Sequence, residues 1–392
     1  MFHPENMRIK NFTAGSVWVL VVLSLISFIG LYIIENDKVD YKRKYYQEKI
    51  EASELAKAAQ DFLKEKRLQK GVFIDAVNDP NRTTLIGQDI TPITTDRGYI
   101  EAKLTSLNPN FAAVVVEMLK EAGLKKGDAA AISFTGSFPA LNIAVHAAVQ
   151  TLGLRPVIIT SVGASNWGAN DPYFTWLDME SALYDAGIFK NRSAAASFGG
   201  GLDRGRGLSP DGRDLIRAAI ERNKVEEINE EYLENSIERR MEIYKQKSAG
   251  PIKLYINVGG GIASIGSTEN YQFIPEGFSS PLSMRNFPIK GVLIRMSEQR
   301  IPFIHLLNIT RLAAKYGLPV SPTPLPLPGD GEIYVQKRYN VALTAVITMI
   351  LAACIVTILV LEKKRHKLGT EFITDMDSRE SIETKQHELT EL

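Results

Sequence analysis

Four short turns rich in glycine and serine hold the residues of this sequence that are best suited to chemistry. Each turn follows an apolar run typical of a buried strand, and the carboxyl ends of parallel strands form the ligand crevice of open α/β sheets. Glycine lets a ligand approach backbone N–H groups there, and helix N-termini at this edge favour anions. The alternative is that these glycines only make tight turns. The residues that we predict to bind a ligand are Gly136, Ser137, Ser161, Gly163, Ser165, Gly199, Gly200, Gly201, Gly259, Gly260 and Gly261.

The third turn continues into a loop with two arginines. Residues 199–207 read GGGLDRGRG, which places Arg204 and Arg206 on a segment whose glycines predict flexibility. Arginine presents a planar fork that suits carboxylate and phosphate groups. We therefore predict that Arg204 and Arg206 bind an acidic ligand. The alternative is a mobile loop that is solvated by its own charges.

Nucleophilic catalysis has little support in the sequence, which contains neither a G-x-S-x-G elbow nor a glycine-rich phosphate-binding motif. The turn serines Ser137 and Ser165 are weak catalytic candidates. A histidine inside a predicted helix or apolar run is more often a buried core residue than a base. A Ser-His-Asp triad stays open as an alternative. It would combine Ser137 or Ser165 with one histidine and one aspartate drawn from His146, His305, Asp171 and Asp178.

Composition excludes several classes of protein. The 392 residues carry 46 Lys and Arg against 45 Asp and Glu, so the chain lacks the basic character of a nucleic-acid-binding domain. Its single cysteine, Cys354, excludes a disulfide framework and cysteine-based zinc sites. Asp171, Asp178 and Glu180 are clustered, but residues two apart on a helix face in different directions. We predict no metal, no cofactor and no nucleic-acid partner.

Two uncharged apolar segments are predicted to cross a membrane. Residues 16–34 and 340–361 contain 19 and 22 residues, and at ~1.5 Å per residue each covers the roughly 30 Å hydrocarbon core. The compact KKRHK sequence after the second segment places residues 1–15 and the basic, then acidic tail 362–392 in the cytoplasm. We therefore predict a two-pass protein of the plasma (inner) membrane, in contact with the lipid bilayer, whose large domain is extracytoplasmic. The acidic part of the tail is predicted to be disordered.

The region between the spans divides into three parts. Residues 35–70 predict a charged, solvated juxtamembrane helix. Residues 71–318 alternate helical and apolar strand patterns, which predicts a single soluble α/β domain of three layers with a parallel, Rossmann-like sheet. Residues 319–339 begin with five prolines among residues 319–328, so we predict a stiff polyproline tether to the second span.

Three long stretches carry a family resemblance that covers nearly the whole chain. They read AAISFTGSFPALNIAVHAAVQTLGLRPVIITSVGASNWGANDP, SFGGGLDRGRGLSPDGRDL and YINVGGGIASIG. The chain resembles the membrane proteins called poly-gamma-glutamate system protein, which occur beside the ligase and membrane components that make and export poly-gamma-glutamate. The resemblance implies a role with this anionic polymer and with the synthase and export subunits as partners. It implies no catalytic residue.

Three hypotheses for function follow. The first is a non-catalytic accessory membrane protein of poly-gamma-glutamate biosynthesis and export, whose α/β domain binds the polymer or a partner subunit. The second is an extracytoplasmic hydrolase or transferase that acts on gamma-glutamyl linkages through Ser137 or Ser165. The third is a cytoplasm-facing domain that binds a nucleotide or a phosphate-bearing ligand at the same turns.

Overall fold

The computed structural model of the chain describes residues 17–72, 74–283 and 286–390, which form two compact units. The central unit is Lys42–Gln336, and the terminal unit is made of the described residues before and after it. The predicted cytoplasmic segment 1–15 and Ser16 lie outside the described residues.

Helices alternate with short strands along the described chain. The α helices are α1 (Val17–Asn36), α2 (Tyr46–Gln69), α3 (Ile100–Ser106), α4 (Phe111–Glu121), α5 (Pro139–Thr151), α6 (Trp176–Asp185), α7 (Pro210–Arg222), α8 (Leu233–Lys247), α9 (Ile262–Ile265), α10 (Val292–Glu298), α11 (Ile309–Lys315) and α12 (Val341–Thr390). The strands are β1 (Lys38–Lys42), β2 (Thr94–Asp96), β3 (Ala129–Thr135), β4 (Arg155–Ser161), β5 (Ala164–Ser165), β6 (Ala195–Ser197), β7 (Glu226–Ile228), β8 (Ile252–Val258), β9 (Gly277–Ser279), β10 (Phe303–Leu306) and β11 (Val335–Tyr339). A 3₁₀ helix spans Thr268–Phe273.

The central unit is built on a seven-stranded sheet with the order β7-β6-β4-β3-β8-β10-β9. Its strands pair in parallel except for β9, which pairs antiparallel with β10 at one edge. The strands are short apolar runs that are buried on both faces, which is why they lack a polar alternation. This sheet confirms the predicted α/β class with a parallel sheet.

Helices cover both faces of the sheet. Ile132 and Phe134 of β3 point into the larger core, which contains α2, α4 and α5. Ala131 of β3 and Tyr255 of β8 point into a second core with α8 and α10. Because neighbouring residues of a strand face opposite sides, β3 contributes to both cores and lies at the centre of the fold.

Helix α2 corrects the expectation for residues 35–70. The segment starts with the end of α1, continues through the strand β1 rather than as one helix, and α2 begins only at Tyr46. One face of α2 is fully buried, because Ala52, Ala56, Ala59 and Leu63 pack in the larger core. The predicted solvated helix is therefore wrong, and the compact unit starts at Lys42 instead of residue 71.

The proline-rich segment also differs from the prediction. Tyr334 is fully buried, and its hydroxyl lies 2.6 Å from Asn110 Oδ1. The backbone N–H of Ser321 donates to Thr105 Oγ1 at 3.0 Å, and the N–H of Arg43 donates to the Tyr334 carbonyl at 2.8 Å. The part of this segment before β11 therefore packs on the central unit instead of forming a free tether.

The terminal unit contains two helices that are long and apolar enough to cross a membrane, Val17–Asn36 and Val341–Lys364. Gly30 allows these helices to approach closely, since a Cβ at this position would lie 2.7 Å from Ile347 Cγ2. Helix α12 continues to Thr390, so the tail that was predicted to be disordered is helical in the described residues.

Candidate functional site

The four predicted turns meet at the carboxyl edge of the sheet. A Cβ added to Gly259 would lie 2.7 Å from Thr135 Oγ1. One added to Gly199 would lie 3.1 Å from Ser161 Cβ, and one added to Gly136 would lie 2.4 Å from the Val162 carbonyl oxygen. The turns that follow β3, β4, β6 and β8 thus lie against one another or against the neighbouring strand ends, and glycine leaves room for these close approaches.

Buried polar side chains line this edge of the sheet on the face of the second core. Thr135 and Ser161 are register partners on β3 and β4, and Asn257 and His305 are partners on β8 and β10. All four are buried. Within the described chain, Thr135 Oγ1, Asn257 Oδ1 and His305 Nε2 have no hydrogen-bond partner. The carboxyl half of this face is therefore polar where the amino half is apolar.

A buried ion pair holds the loop of residues 199–207. Arg240 of α8 reaches the strand ends and contacts Asp203 at 3.0 Å, with both side chains 1% exposed. The hydroxyls of Ser197 and Ser236 donate to the Asp203 carboxylate at 2.7 and 2.6 Å. Ser161 accepts from Arg240 Nη2 at 2.9 Å. The loop is therefore anchored at its centre, which the sequence analysis did not predict.

The backbone of this loop is held in a strained form. Leu202 and Asp203 have φ values of 55° and 60°, a left-handed conformation that non-glycine residues rarely adopt. Such residues cost on the order of 1 kcal/mol each and persist where the surroundings fix them. The contacts of Asp203 with Arg240 and three serines supply that constraint.

The loop and the start of α7 present arginine side chains. Arg204 and Arg206 are exposed, and the side chain of Arg213 packs beside Gly205. Arg204 donates to the Glu231 carbonyl oxygen at 3.3 Å. Among the described residues, none of these three arginines forms an ion pair with a carboxylate. The two predicted acid-binding arginines are therefore accessible, whereas Arg213 is half-buried and donates to the Leu208 carbonyl oxygen at 2.7 Å.

A lysine that the sequence analysis missed contacts the other turns. Lys103 of α3 is 2% exposed, and its Nζ donates to Ser165 Oγ at 2.8 Å and to the Ser137 carbonyl oxygen. The ring of Phe138 lies 3.9 Å from the same nitrogen. No carboxylate pairs with Lys103 in the part of the chain that the structure describes, and burial lowers the pKa of Lys103 to about 7.

The two turn serines have different roles around Lys103. Ser165 lies on β5, which pairs in parallel with β2 next to the turn after β4. Its backbone N–H donates to Ser137 Oγ at 3.0 Å, so Ser137 helps to hold the Ser165 backbone. Gly98 packs against the pair, since a Cβ there would lie 3.0 Å from Ser165 Oγ. Ser165 is thus the serine whose hydroxyl contacts the lysine.

The histidines do not contact these serines. His146 Nε2 lies 2.9 Å from Glu180 Oε1, and its ring stacks on Phe189 with the centroids 4.6 Å apart. His305 Nδ1 accepts from Asn257 Nδ2 at 2.9 Å, and burial lowers the pKa of His305 to about 4. The Ser-His-Asp alternative is therefore wrong, because the side-chain partners of the two histidines are Glu180 and Asn257 and neither histidine contacts Ser137 or Ser165.

The clustered acidic residues are separated by their own partners. Asp178 pairs with Arg222 at 2.6 Å, Asp171 lies 3.6 Å from Arg67, and Glu180 contacts His146. The described residues contain no group of three or more His, Cys, Asp or Glu side chains that could hold a metal ion.

Comparison with family models, with curated proteins and with solved structures found no match to this chain.

Proposed function

We propose that this chain is an accessory membrane protein of poly-gamma-glutamate biosynthesis and export whose central unit binds the anionic polymer. The observation that carries the proposal is the pair of exposed arginines, Arg204 and Arg206, on one anchored loop, with the half-buried Arg213 beside it; none of the three has a carboxylate partner among the described residues. A chain with one carboxylate per residue would contact several of these guanidinium groups at once.

Binding of this kind draws on many weak contacts. An exposed arginine–carboxylate pair contributes about 0.2–1 kcal/mol and is weakened by salt. Adjacent contacts along one polymer add through effective concentration, so affinity rises with polymer length. Because the loop is already ordered by Asp203, binding does not have to order its backbone.

We further propose where the site lies in a Rossmann-like sheet. The strand order turns back between β3 and β8, since β4, β6 and β7 extend on one side and β10 lies on the other. Ligands of open α/β sheets bind at such a switch point. The approach of Gly259 to Thr135 is at this place, next to the turns that follow β4 and β6.

For the membrane, we propose a two-pass arrangement in the plasma membrane with both chain ends in the cytoplasm and the central unit outside. The two apolar helices and the basic residues after the second one support it. The test replaces Cys354, the single cysteine, with serine and places a new cysteine at the exposed Gln246. Labelling of intact cells by an impermeant maleimide is expected, and labelling only after permeabilisation would reverse the orientation.

Polymer binding is tested by retention of the full-length protein, in detergent, on immobilised poly-gamma-glutamate. Loss of two exposed contacts in Arg204→Ala/Arg206→Ala is expected to lower the affinity by about 10-fold, with a smaller dependence on salt. The matched control is Arg155→Ala/Arg192→Ala, two exposed arginines near the opposite edge of the sheet. Equal retention of the two double variants would contradict the proposal.

A further inference from the structure

A buried lysine and a serine meet at the crevice in a way that polymer binding does not explain. Lys103 Nζ lies 2.8 Å from Ser165 Oγ, within hydrogen-bond distance. Phe138 and the Ser137 carbonyl oxygen fix the position of the amine. A hydroxyl that is paired in this way with an amine base is the arrangement used by serine–lysine acyl-transfer enzymes.

We propose that Ser165 is a nucleophile and Lys103 its general base, and that the crevice catalyses acyl transfer from amide or ester substrates. This activity goes beyond the proposed binding of an anionic polymer and does not depend on it.

The surroundings of Lys103 favour the neutral amine that a base must have. Lys49 provides the comparison within the same unit, since it is also fully buried but contacts the Glu117 carboxylate. A buried lysine with a carboxylate partner keeps its proton, whereas one without such a partner loses it more easily. Lys103 has no carboxylate partner within the described residues, because its polar contacts are the Ser165 hydroxyl and the Ser137 carbonyl oxygen.

Hydrogen bonding favours Ser165 over Ser137 as the nucleophile, because Lys103 Nζ contacts the hydroxyl of Ser165 but the backbone carbonyl of Ser137. The Ser137 hydroxyl instead accepts the Ser165 N–H at 3.0 Å. Helix α5 starts two residues after Ser137, and the first N–H groups of a helix have no partners within it. In the proposed reaction these donors, which follow the turn after β3, would stabilise the oxyanion.

The reaction that we propose is balanced at each step. The neutral Lys103 Nζ takes the Ser165 Oγ–H proton while Oγ bonds to the substrate carbonyl carbon, whose oxygen becomes the oxyanion. The C–N or C–O bond then breaks, and the leaving amine or alkoxide takes the proton from Lys103. Water or an amine attacks the acyl ester of Ser165 and gives its proton to Lys103. Release of the acyl product returns that proton to Ser165 Oγ.

The test uses the full-length protein in detergent with a fluorophosphonate probe, which forms a covalent bond to an activated serine. We expect labelling at Ser165, located by peptide mass spectrometry, and a labelling rate that rises with pH through about 7, because the reactive form has a neutral lysine. Ser165→Ala should abolish labelling. Lys103→Met should lower the rate by about 100-fold and remove this rise with pH.

Two variants separate catalysis from folding. Ser193→Ala removes another buried serine, whose hydroxyl contacts Thr160 rather than Lys103, and should keep the full labelling rate. Lys103→Arg keeps the positive charge but cannot act as a base, so it should lose labelling while thermal unfolding shows a folded protein. Absence of labelling in the unchanged protein, or an unchanged pH profile in Lys103→Met, would overturn the proposal. Either result leaves retention on poly-gamma-glutamate as a separate measurement.

Discussion

Removal of Arg240 should destabilise the central unit strongly, because Asp203 would stay buried without its cation. Both side chains are 1% exposed, and breaking such a pair costs about 3–5 kcal/mol. The central unit has about 300 residues, so its unfolding entropy near the midpoint is roughly 0.6 kcal/mol/K. We therefore expect Arg240→Met to lower the midpoint of thermal unfolding by about 6 °C.

The size of the pair's own contribution follows from a double-variant cycle. Asp203→Asn also removes one charge of the pair, while Arg240→Met/Asp203→Asn removes both and leaves no uncompensated ion. The double variant should lose about 3 kcal/mol less than the sum of the single variants. Tryptophan fluorescence of the full-length protein in detergent follows the transition, since Trp167 and Trp176 lie in the central unit.

The neighbouring Arg239 provides the control for this cycle. It is 37% exposed and pairs with Glu226 and Glu242 at the surface, so Arg239→Met should cost less than about 1 kcal/mol. Additive losses in the cycle, or a loss for Arg240→Met as small as that for Arg239→Met, would refute a buried anchor for the loop.

Three further predictions concern the same edge of the sheet. Gly259→Ala should cost about 2 kcal/mol of unfolding free energy, because φ is 82° and the new Cβ would lie 2.7 Å from Thr135 Oγ1. Gly250→Ala, which has open space, should be near neutral in the same thermal unfolding. Burial lowers the pKa of His305 to about 4, so between pH 6.5 and about 4 the unfolded chain binds a proton that the folded chain does not. The free energy of unfolding should therefore fall by about 3 kcal/mol as the pH decreases through this range. His305→Gln should flatten that part of the pH profile. Burial lowers the pKa of Lys103 to about 7, so between pH 7 and 10 the unfolded chain holds a proton that the folded chain lacks. The free energy of unfolding should therefore rise by about 1.4 kcal/mol per pH unit in this range. Lys103→Met should remove this slope and raise the midpoint of thermal unfolding at pH 7.

The architecture of the central unit could be predicted where the sequence pattern and the packing agree. The apolar runs of β3, β4 and β8 and the turns after them are local signals, and parallel strands bring their carboxyl ends to one edge whatever the side chains are. The burial of helix α2 could not be predicted from its sequence. Its buried face consists largely of alanines, which also occur in solvated helices, so the hydrophobic pattern does not separate the two cases.

The polar contacts of the site were hidden for a different reason. Arg240 lies on the same buried face of α8 as Leu233, Ile237 and Tyr244. A charged residue at an apolar position of a helix indicates a buried ion pair, so this pattern could have predicted that Arg240 has a buried partner. Lys103 gave no such signal, because it lies in a short helix and becomes buried only through contacts with Ser165 and Phe138. Contacts between residues distant in sequence decide its environment, and no local pattern encodes them.

The hydrogen bond between Arg43 and Tyr334 has a consequence for how the chain can be divided. The N–H of Arg43 and the carbonyl of Tyr334 are 2.8 Å apart, so the first and last residues of the central unit enter and leave it side by side. A unit whose two ends are adjacent has the geometry of an inserted domain, and such domains can be removed from one chain and inserted into another. Residues 42–336 are therefore a natural fragment for production as a separate soluble protein, and a short linker in their place would join the two apolar helices into a hairpin.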